Sequence, residues 1–510
     1  MEERVMTTDL PLVSSFSELL LSFAPVSSQP SFANFTTLIA GWVFCMGRRT
    51  VTGLITAAGA IGKKHFSCYH RFFSRAKWDL DSLGLIILKL ALQLIPKDAV
   101  ILLAVDDTLA RKTGKRIWGA AMPDGPNVQW IGPFGHHDPL RSTRHKHFFS
   151  FGHSWVVLSL VIELPFAKRK YFALPFLFRL YRKKKKQLPP GRPKAERKQT
   201  GEATAKEYRT RPELASEMLR IAAEWLPGRR IRAVGDSEYS GKSVSRELRE
   251  RTDLVGRMPM NAALYDKPGP RKAHQRGPDR KKGERLPNPA QVARSRKVKW
   301  TKTTVDIYGR TVKIWFKTMR ALWYCVCAPA GNSAGERPVT VVVTRDPSGK
   351  WRDDCFQARQ RRPSRSRLTI GFTTDLSMKP TEVVETIARR WPLEVTFRDA
   401  KQCLGFEEPQ NRTPKAVERT APVAMALYSL VVLWYARAGS ALRKRWFPER
   451  PWYSKRKRRN RTASFGVCLA TLRQASWMEM NLGDPIVREG SMNKAEKRIL
   501  QLQQCLLTAA

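Results

Sequence analysis

Two strand-length apolar runs that stop at aspartates constrain this chain more than any other feature. Residues 99–105 are continuously apolar and give way to Asp106-Asp107-Thr108. Residues 231–234, apolar but for Arg232, form a second, shorter run leading into Gly235-Asp236-Ser237. Runs of this length read as buried strands. Residues 155–164 are another, and residues 212–226 carry a helical pattern with Leu214, Met218, Ile221, Ala222 and Trp225 on one face. Pro212 suits the first turn of that helix, and Pro227-Gly228 ends it. Strands alternating with helices in this way imply an α/β sheet with acids at strand ends.

The remaining sequence divides around that sheet. Residues 1–95 read as a helical unit with apolar clusters at residues 19–21, 35–42 and 83–94. Arg48, Arg49, Lys63, Lys64, His65, Tyr69, His70 and Arg71 interleave with them, which suits a DNA-binding domain resting on phosphates. Residues 96–265 hold the first part of the sheet domain, including a basic block at 182–198 that reads as a phosphate-contacting loop. Residues 266–375 combine a Pro/Gly/Arg/Lys-rich linker with a β-rich run, with strands expected at 305–314, 322–327, 339–344 and 368–372. Residues 376–436 return to helix and complete the sheet domain, so the β-rich run reads as an insertion into it. Residues 437–510 form a basic C-terminal region.

Charge narrows the partner. The chain carries 92 Lys plus Arg against 44 Asp plus Glu, a formal net charge of +48. Such an excess calls for a polyanion, since unrelieved self-repulsion destabilises the compact state. The basic residues run from Arg48 to Arg498 rather than along one amphipathic helix, which favours nucleic acid over a membrane surface. The eight cysteines include no CxxC pair, which argues against a zinc ribbon or disulfide framework and for a reducing compartment. Met1-Glu2-Glu3-Arg4 leads into mixed polar sequence rather than an apolar leader, so a soluble, cytoplasmic, nucleoid-associated protein is expected.

In so basic a chain, acids gathered in one place point to chemistry on a phosphodiester. Two Mg²⁺ ions about 3.5–4 Å apart can activate a nucleophile and neutralise a leaving oxygen. Such ions take hard oxygen ligands, and three acids converging at one edge of a sheet would suffice, with Asp106, Asp236 and Glu394 the place to look. Asp107 competes with Asp106, because alternate residues of a strand face opposite sides and only one of the two can enter a shared site. Arg390, Glu394, Arg398 and Lys401 fall on one face of a helix, with Leu393, Phe397, Ala400 and Leu404 on a neighbouring apolar face. Gly405 suits the end of that helix. Pro392 marks either a kink or the first turn of a new helix beginning at Trp391.

Asp-x-Thr after a strand, a second Asp after a strand, and R-x3-E-x6-K on a late helix together resemble the DDE transposases of bacterial insertion sequences. More narrowly they resemble the branch with the signature Y-x2-R-x3-E-x6-K, matched here at Arg390, Glu394 and Lys401, with Ile387 in the Tyr position. The resemblance runs from about residue 98 to 410. It implies an RNase H-like catalytic core with a β-rich insertion, two-metal catalysis by Mg²⁺ (Mn²⁺ as an alternative) on Asp106, Asp236 and Glu394, and DNA-phosphate contacts from Arg390 and Lys401. An insertion aromatic that stacks on a flipped base is also implied, with Trp300, Trp315 and Trp323 as candidates. Five of the eight histidines lie between His136 and His153, but Arg141, Arg144 and Lys146 interleave with them. That stretch reads as a DNA-contacting loop through Arg141 and Arg144, with Arg398 a further contact, rather than as a metal or HUH nuclease site.

The expected activity is therefore a transposase that binds terminal inverted repeats, cuts DNA ends with Mg²⁺ and joins them to target DNA, as a dimer on DNA. A catalytically inactive DNA-binding derivative and a metal-dependent nuclease without strand transfer are the alternatives.

Overall fold

A computed structural model describes residues 11–114, 117–118, 135–137, 148–182, 207–270, 281–327, 336–347, 368–446 and 463–482. Five helices come first: α1 (Ser14–Leu21), α2 (Gln29–Phe44), α3 (Val51–Ala57), α4 (Phe66–Ser74) and α5 (Leu80–Leu92). Strands β1 (Ile101–Arg111), β2 (Gly135–His137), β3 (Phe149–Glu163) and β4 (Tyr171–Tyr181) follow. Then come α6 (Arg211–Trp225), β5 (Ile231–Val234), the short α7 (Lys242–Ser245) and β6 (Thr252–Arg257). The β-rich part holds β7 (Leu264–Tyr265), β8 (Arg285–Leu286), α8 (Pro289–Arg294), β9 (Thr301–Ile307), β10 (Arg310–Cys327), β11 (Glu336–Arg345) and β12 (Leu368–Thr373). The chain closes with α9 (Pro380–Ala388), α10 (Trp391–Leu404), α11 (Pro414–Trp434), α12 (Ser440–Trp446) and α13 (Phe465–Leu482).

The strands form one mixed 12-stranded sheet, so the fold is α/β as expected. Its order is β2-β3-β1-β5-β6-β12-β11-β10-β7-β8, with β4 also on β3 and β9 on β10. β1, β5 and β6 run parallel, whereas β1–β3 and β3–β4 are antiparallel. The β-rich part joins through β12, antiparallel to β6, and so prolongs the same sheet.

Side-chain alternation gives the sheet two covered faces. Leu103, Val105, Ile231 and Ala233 pack in one core with Leu214, Met218 and Leu219 of α6. Ala104, Ala110 and Val234 pack in another with Val383 of α9 and Leu393, Phe397 and Ala400 of α10. α11 is the shared support: Val417, Ala421 and Met425 enter the second core, and most of its other apolar residues enter the first. The stretch Pro414–Lys444 is long and apolar enough to cross a membrane, but its apolar window is 94% buried inside the protein. It is a core helix here.

Several elements depart from the sequence reading. β1 does not stop at Val105. It continues through Asp106, Asp107 and Thr108 because β3 pairs with it as far as Arg111↔Gly152. Gly152 permits that last approach, since a Cβ there would lie 2.2 Å from the Ala110 carbonyl oxygen. β4 was not anticipated. The strand expected at 305–314 is instead a hairpin, turned at Tyr308-Gly309, both with positive φ. Of the two readings of Pro392, the first turn of a new helix beginning at Trp391 is the one found, so the late helix is two helices, α9 and α10.

Candidate active site

Three neighbouring elements carry the acids. Asp106 lies in mid-strand on β1. Ala104 pairs with Val234 across the parallel β1–β5 ladder, so Asp106 and Asp236 each stand two residues beyond the same pair. Alternation with Ala104 and Ala110 turns Asp106 toward α10, whose first turn carries Glu394. Asp107 takes the opposite face, with Leu103 and Val105, and its carboxylate meets Arg211 at the start of α6.

Arg390, immediately before α10, ties the centre together. Its Nη1 donates to Asp106 Oδ2, and its Nη2 donates to Glu394 Oε1 at 2.6 Å. Burial, with Asp107, Asp236 and Glu394 adding to it, pushes the Asp106 carboxyl up to about 8 against the pull of Arg390. For Arg390, burial is outweighed by Asp106, Glu394 and Asp236, which hold its proton more firmly than usual. One guanidinium therefore does not offset the cost of burying the Asp106 charge, and further positive charge would relieve it. Among the described residues no three His, Cys, Asp or Glu side chains are gathered closely enough to hold a metal ion, because Arg390 stands between Asp106 and Glu394.

Asp236 occupies a turn of its own making. Its Oδ1 accepts the backbone N–H of Glu238 at 2.8 Å and of Tyr239 at 3.3 Å. Such aspartate turns are local and rigid. Ser240 Oγ donates to the Asp236 carbonyl, closing the loop.

The other sequence candidates separate. Lys401 shares the Arg390–Glu394 face of α10, but its Nζ donates to the Leu109 carbonyl at 2.8 Å and pairs with Glu407 at 3.3 Å. Arg398 leaves that face: it is 58% exposed, pairs with Asp399 at 2.9 Å and lines a cavity of about 330 Å³ with Arg389, Trp391 and Tyr308. Arg141 and Arg144 lie outside the described residues. Trp323 is buried edge-on to Phe372 at 4.9 Å, Trp300 lies under the Lys317 ammonium at 4.6 Å, and Trp315 is flanked by Lys302 and Arg345. Of the histidine cluster, His153 is buried with Nε2 2.9 Å from the Trp118 carbonyl, and burial above all lowers its pKa to about 4.

Sequence reasoning missed a group behind the acids: Arg211, Glu238 and Tyr239. Arg211 pairs with Asp107 at 3.4 Å and with Glu238 at 3.6 Å. Tyr239 Oη donates to Asp107 Oδ1 at 2.9 Å. No spacing marks them, because they meet only after α6 and the turn after β5 dock on β1.

The family described as a DDE superfamily endonuclease matches residues 25–313, more than half of the chain, and the one described as a transposase DDE domain matches residues 199–430. No curated protein matches the chain.

Proposed function

The chain belongs to the DDE superfamily endonucleases, among the DDE transposases, and from that premise we propose that it binds the terminal inverted repeats of an insertion sequence, cleaves DNA at those ends and joins them to target DNA. The observation that carries the reading is Arg390 bridging Asp106 of β1 and Glu394 of α10, with Asp236 two residues beyond the same β1–β5 pair as Asp106. The strand order β4-β3-β1-β5-β6, with its parallel and antiparallel pattern, supports an RNase H-like core into which residues 266–375 are inserted.

The chemistry of the donor set, three carboxylates, suits a hard divalent cation once Arg390 gives up its place between Asp106 and Glu394. Three carboxylates would supply oxygen ligands, and burial above all, with the neighbouring acids adding to it, holds Asp106 well above the usual carboxylate range. Asp106, Asp236 and Glu394 are the residues that would hold Mg²⁺, with Mn²⁺ as a substitute. When bound, the metal would activate the attacking oxygen and neutralise the leaving one. Asp106 can accept from Arg390 or serve a cation with the same carboxylate, so Arg390 acts as the counter-charge that keeps Asp106 and Glu394 facing each other. DNA phosphate offers Arg390 an alternative partner of equal charge. Arg398 and Lys401 on α10, with Arg141 and Arg144, are the further phosphate contacts of this reading, and a pair of bound ends makes a dimer the working form.

The test is a labelled DNA carrying the element's end, incubated with Mg²⁺ and either wild type or Glu394→Gln. Cleaved and joined product from the wild type, with none from a variant that still binds the DNA, is the expected result. DNA binding without product from either protein would overturn catalysis and leave a DNA-binding derivative.

A further inference from the structure

Asp107 is as well placed in sequence as Asp106 to hold a metal, yet its surroundings assign it other work. It faces α6 rather than α10, among Leu103 and Val105. Both of its oxygens are engaged on that side. Oδ1 accepts the Tyr239 hydroxyl at 2.9 Å, and Oδ2 meets Arg211 Nε at 3.4 Å and Ser154 Oγ at 3.5 Å.

Tyr239 is fully buried, and its two polar ends reach the two sides of the sheet edge. Its hydroxyl is fixed by Asp107, while its backbone N–H is one of the two donors that orient the Asp236 carboxylate. The other donor, the N–H of Glu238, belongs to a residue whose side chain Arg211 holds at 3.6 Å. Arg211 is itself fixed by stacking 4.7 Å over the Tyr181 ring. The turn also sits directly on β1: a Cβ on Gly235 would lie 2.6 Å from Tyr239 Cβ and 3.2 Å from Val105 Cγ1. A side chain at 235 would therefore push the tyrosine off its partner.

We propose that Asp107 and Tyr239 form a latch, with Asp107 anchoring the Tyr239 hydroxyl from behind the sheet so that the Tyr239 backbone presents Asp236 to the same point as Asp106. Both are positioning residues, acting through Asp236. The inference rests on the reading of Asp106, Asp236 and Glu394 as the metal-holding acids. A hydroxyl that reaches the ligand only through its own backbone controls where the ligand stands, and outer partners of this kind set metal affinity by about 10–100-fold.

The experiment measures Mn²⁺ affinity of the full-length, DNA-free protein by electron paramagnetic resonance of the unbound ion, together with the melting temperature without metal. Tyr239→Phe, which removes only the hydroxyl, is expected to weaken Mn²⁺ binding about tenfold. Asp107→Ala should weaken it equally, and the double variant no further. Asp107→Asn keeps an acceptor for the hydroxyl and should retain most of the affinity. If Tyr239→Phe does not fold, the contrast between Asp107→Ala and Asp107→Asn carries the same decision. Unchanged affinity in Tyr239→Phe and Asp107→Ala, whatever their melting temperatures, overturns the latch while a loss in Asp236→Asn leaves the metal reading standing. Loss in Asp107→Asn as deep as in Asp106→Asn overturns it in favour of Asp107 as a ligand. If Asp236→Asn also matches the wild type, the metal reading fails first and takes the latch with it.

Discussion

Lys112 carries an ammonium into the protein interior directly beyond β1. It is 6% exposed and donates to the carbonyls of Glu407 and Pro409, each at 2.8 Å, which ties the loop after α10 to the strand that bears Asp106. Burial lowers its pKa to about 8 from 10.5, with Glu407 opposing the shift. The folded state thus disfavours the proton that the unfolded chain keeps up to its ordinary pKa. Between about pH 8 and 10.5 the unfolded state binds more protons, so stability rises with pH, by about 3 kcal/mol over the window. Denaturant titrations of wild type and Lys112→Met across that range should show the gain in the wild type alone. At the acids proposed to hold metal the balance is reversed in purpose. Asp236→Asn keeps the acceptor for the Glu238 and Tyr239 N–H groups while removing a charge that crowds Asp106. That variant should melt no lower than wild type without metal and yield no cleavage product. That β1 and β5 lead to Asp106 and Asp236 was legible from the strand-like runs before them. Which of Asp106 and Asp107 faces α10 was not, because register is set by β3 and β5, far along the chain.

At the scale of elements, α10 is held to β1 at both ends of one face. Arg390 binds Asp106 at its start, and Lys401 donates to the Leu109 carbonyl about three turns on. Gly405 then ends the helix with φ of 62°, a left-handed cap, and turns the chain so that Glu408 reaches Arg49 beside α3. A Cβ at Gly405 would lie 2.5 Å from Glu408 Oε2 and 2.9 Å from Arg49 Cδ. Gly405→Ala should therefore cost about 1–3 kcal/mol, the range for a residue forced into a left-handed conformation, read as a lower midpoint in urea. The cap was legible from the glycine alone, and so were α6 and β5, whose punctuation by Pro212 and Pro227-Gly228 is local. The length of β1 was not legible, since Asp106-Asp107-Thr108 is extended by its partner's hydrogen bonds rather than by its own propensity. β4 went unseen for a similar reason: Pro175 interrupts its pattern, and a bulge opposite Leu158/Ser159 accommodates it. Arg398, one turn beyond Glu394 on α10, pairs its guanidinium with the neighbouring Asp399, a partner the spacing did not mark.

For the whole molecule, the N-terminal helices and the sheet share one interior. Trp42 Nε1 on α2 donates to the Leu404 carbonyl of α10 at 2.9 Å. Arg419 on α11, buried under the Trp78 ring at 4.3 Å, donates to the carbonyls of Phe73, Ala76 and Trp78. Deleting residues 1–95 should strip α11 of these partners and leave the remainder aggregating on expression, whereas a fragment that stays monomeric by light scattering would show an independent sheet domain. The net charge of +48 should act in opposite senses on two measurements. Added NaCl screens self-repulsion and should raise the melting temperature of the free protein, while loosening its hold on DNA. The Trp42–Leu404 contact also orders events in time, because its partners stand 362 residues apart. At about 5–20 residues per second, a ribosome delivers the second partner roughly 20–70 s after the first. During that interval the early helices have no α10 or α11 to cover them. Glu394 emerges near the end of the same interval, so a nascent or prematurely terminated chain already carries its basic surface while its acids are still incomplete.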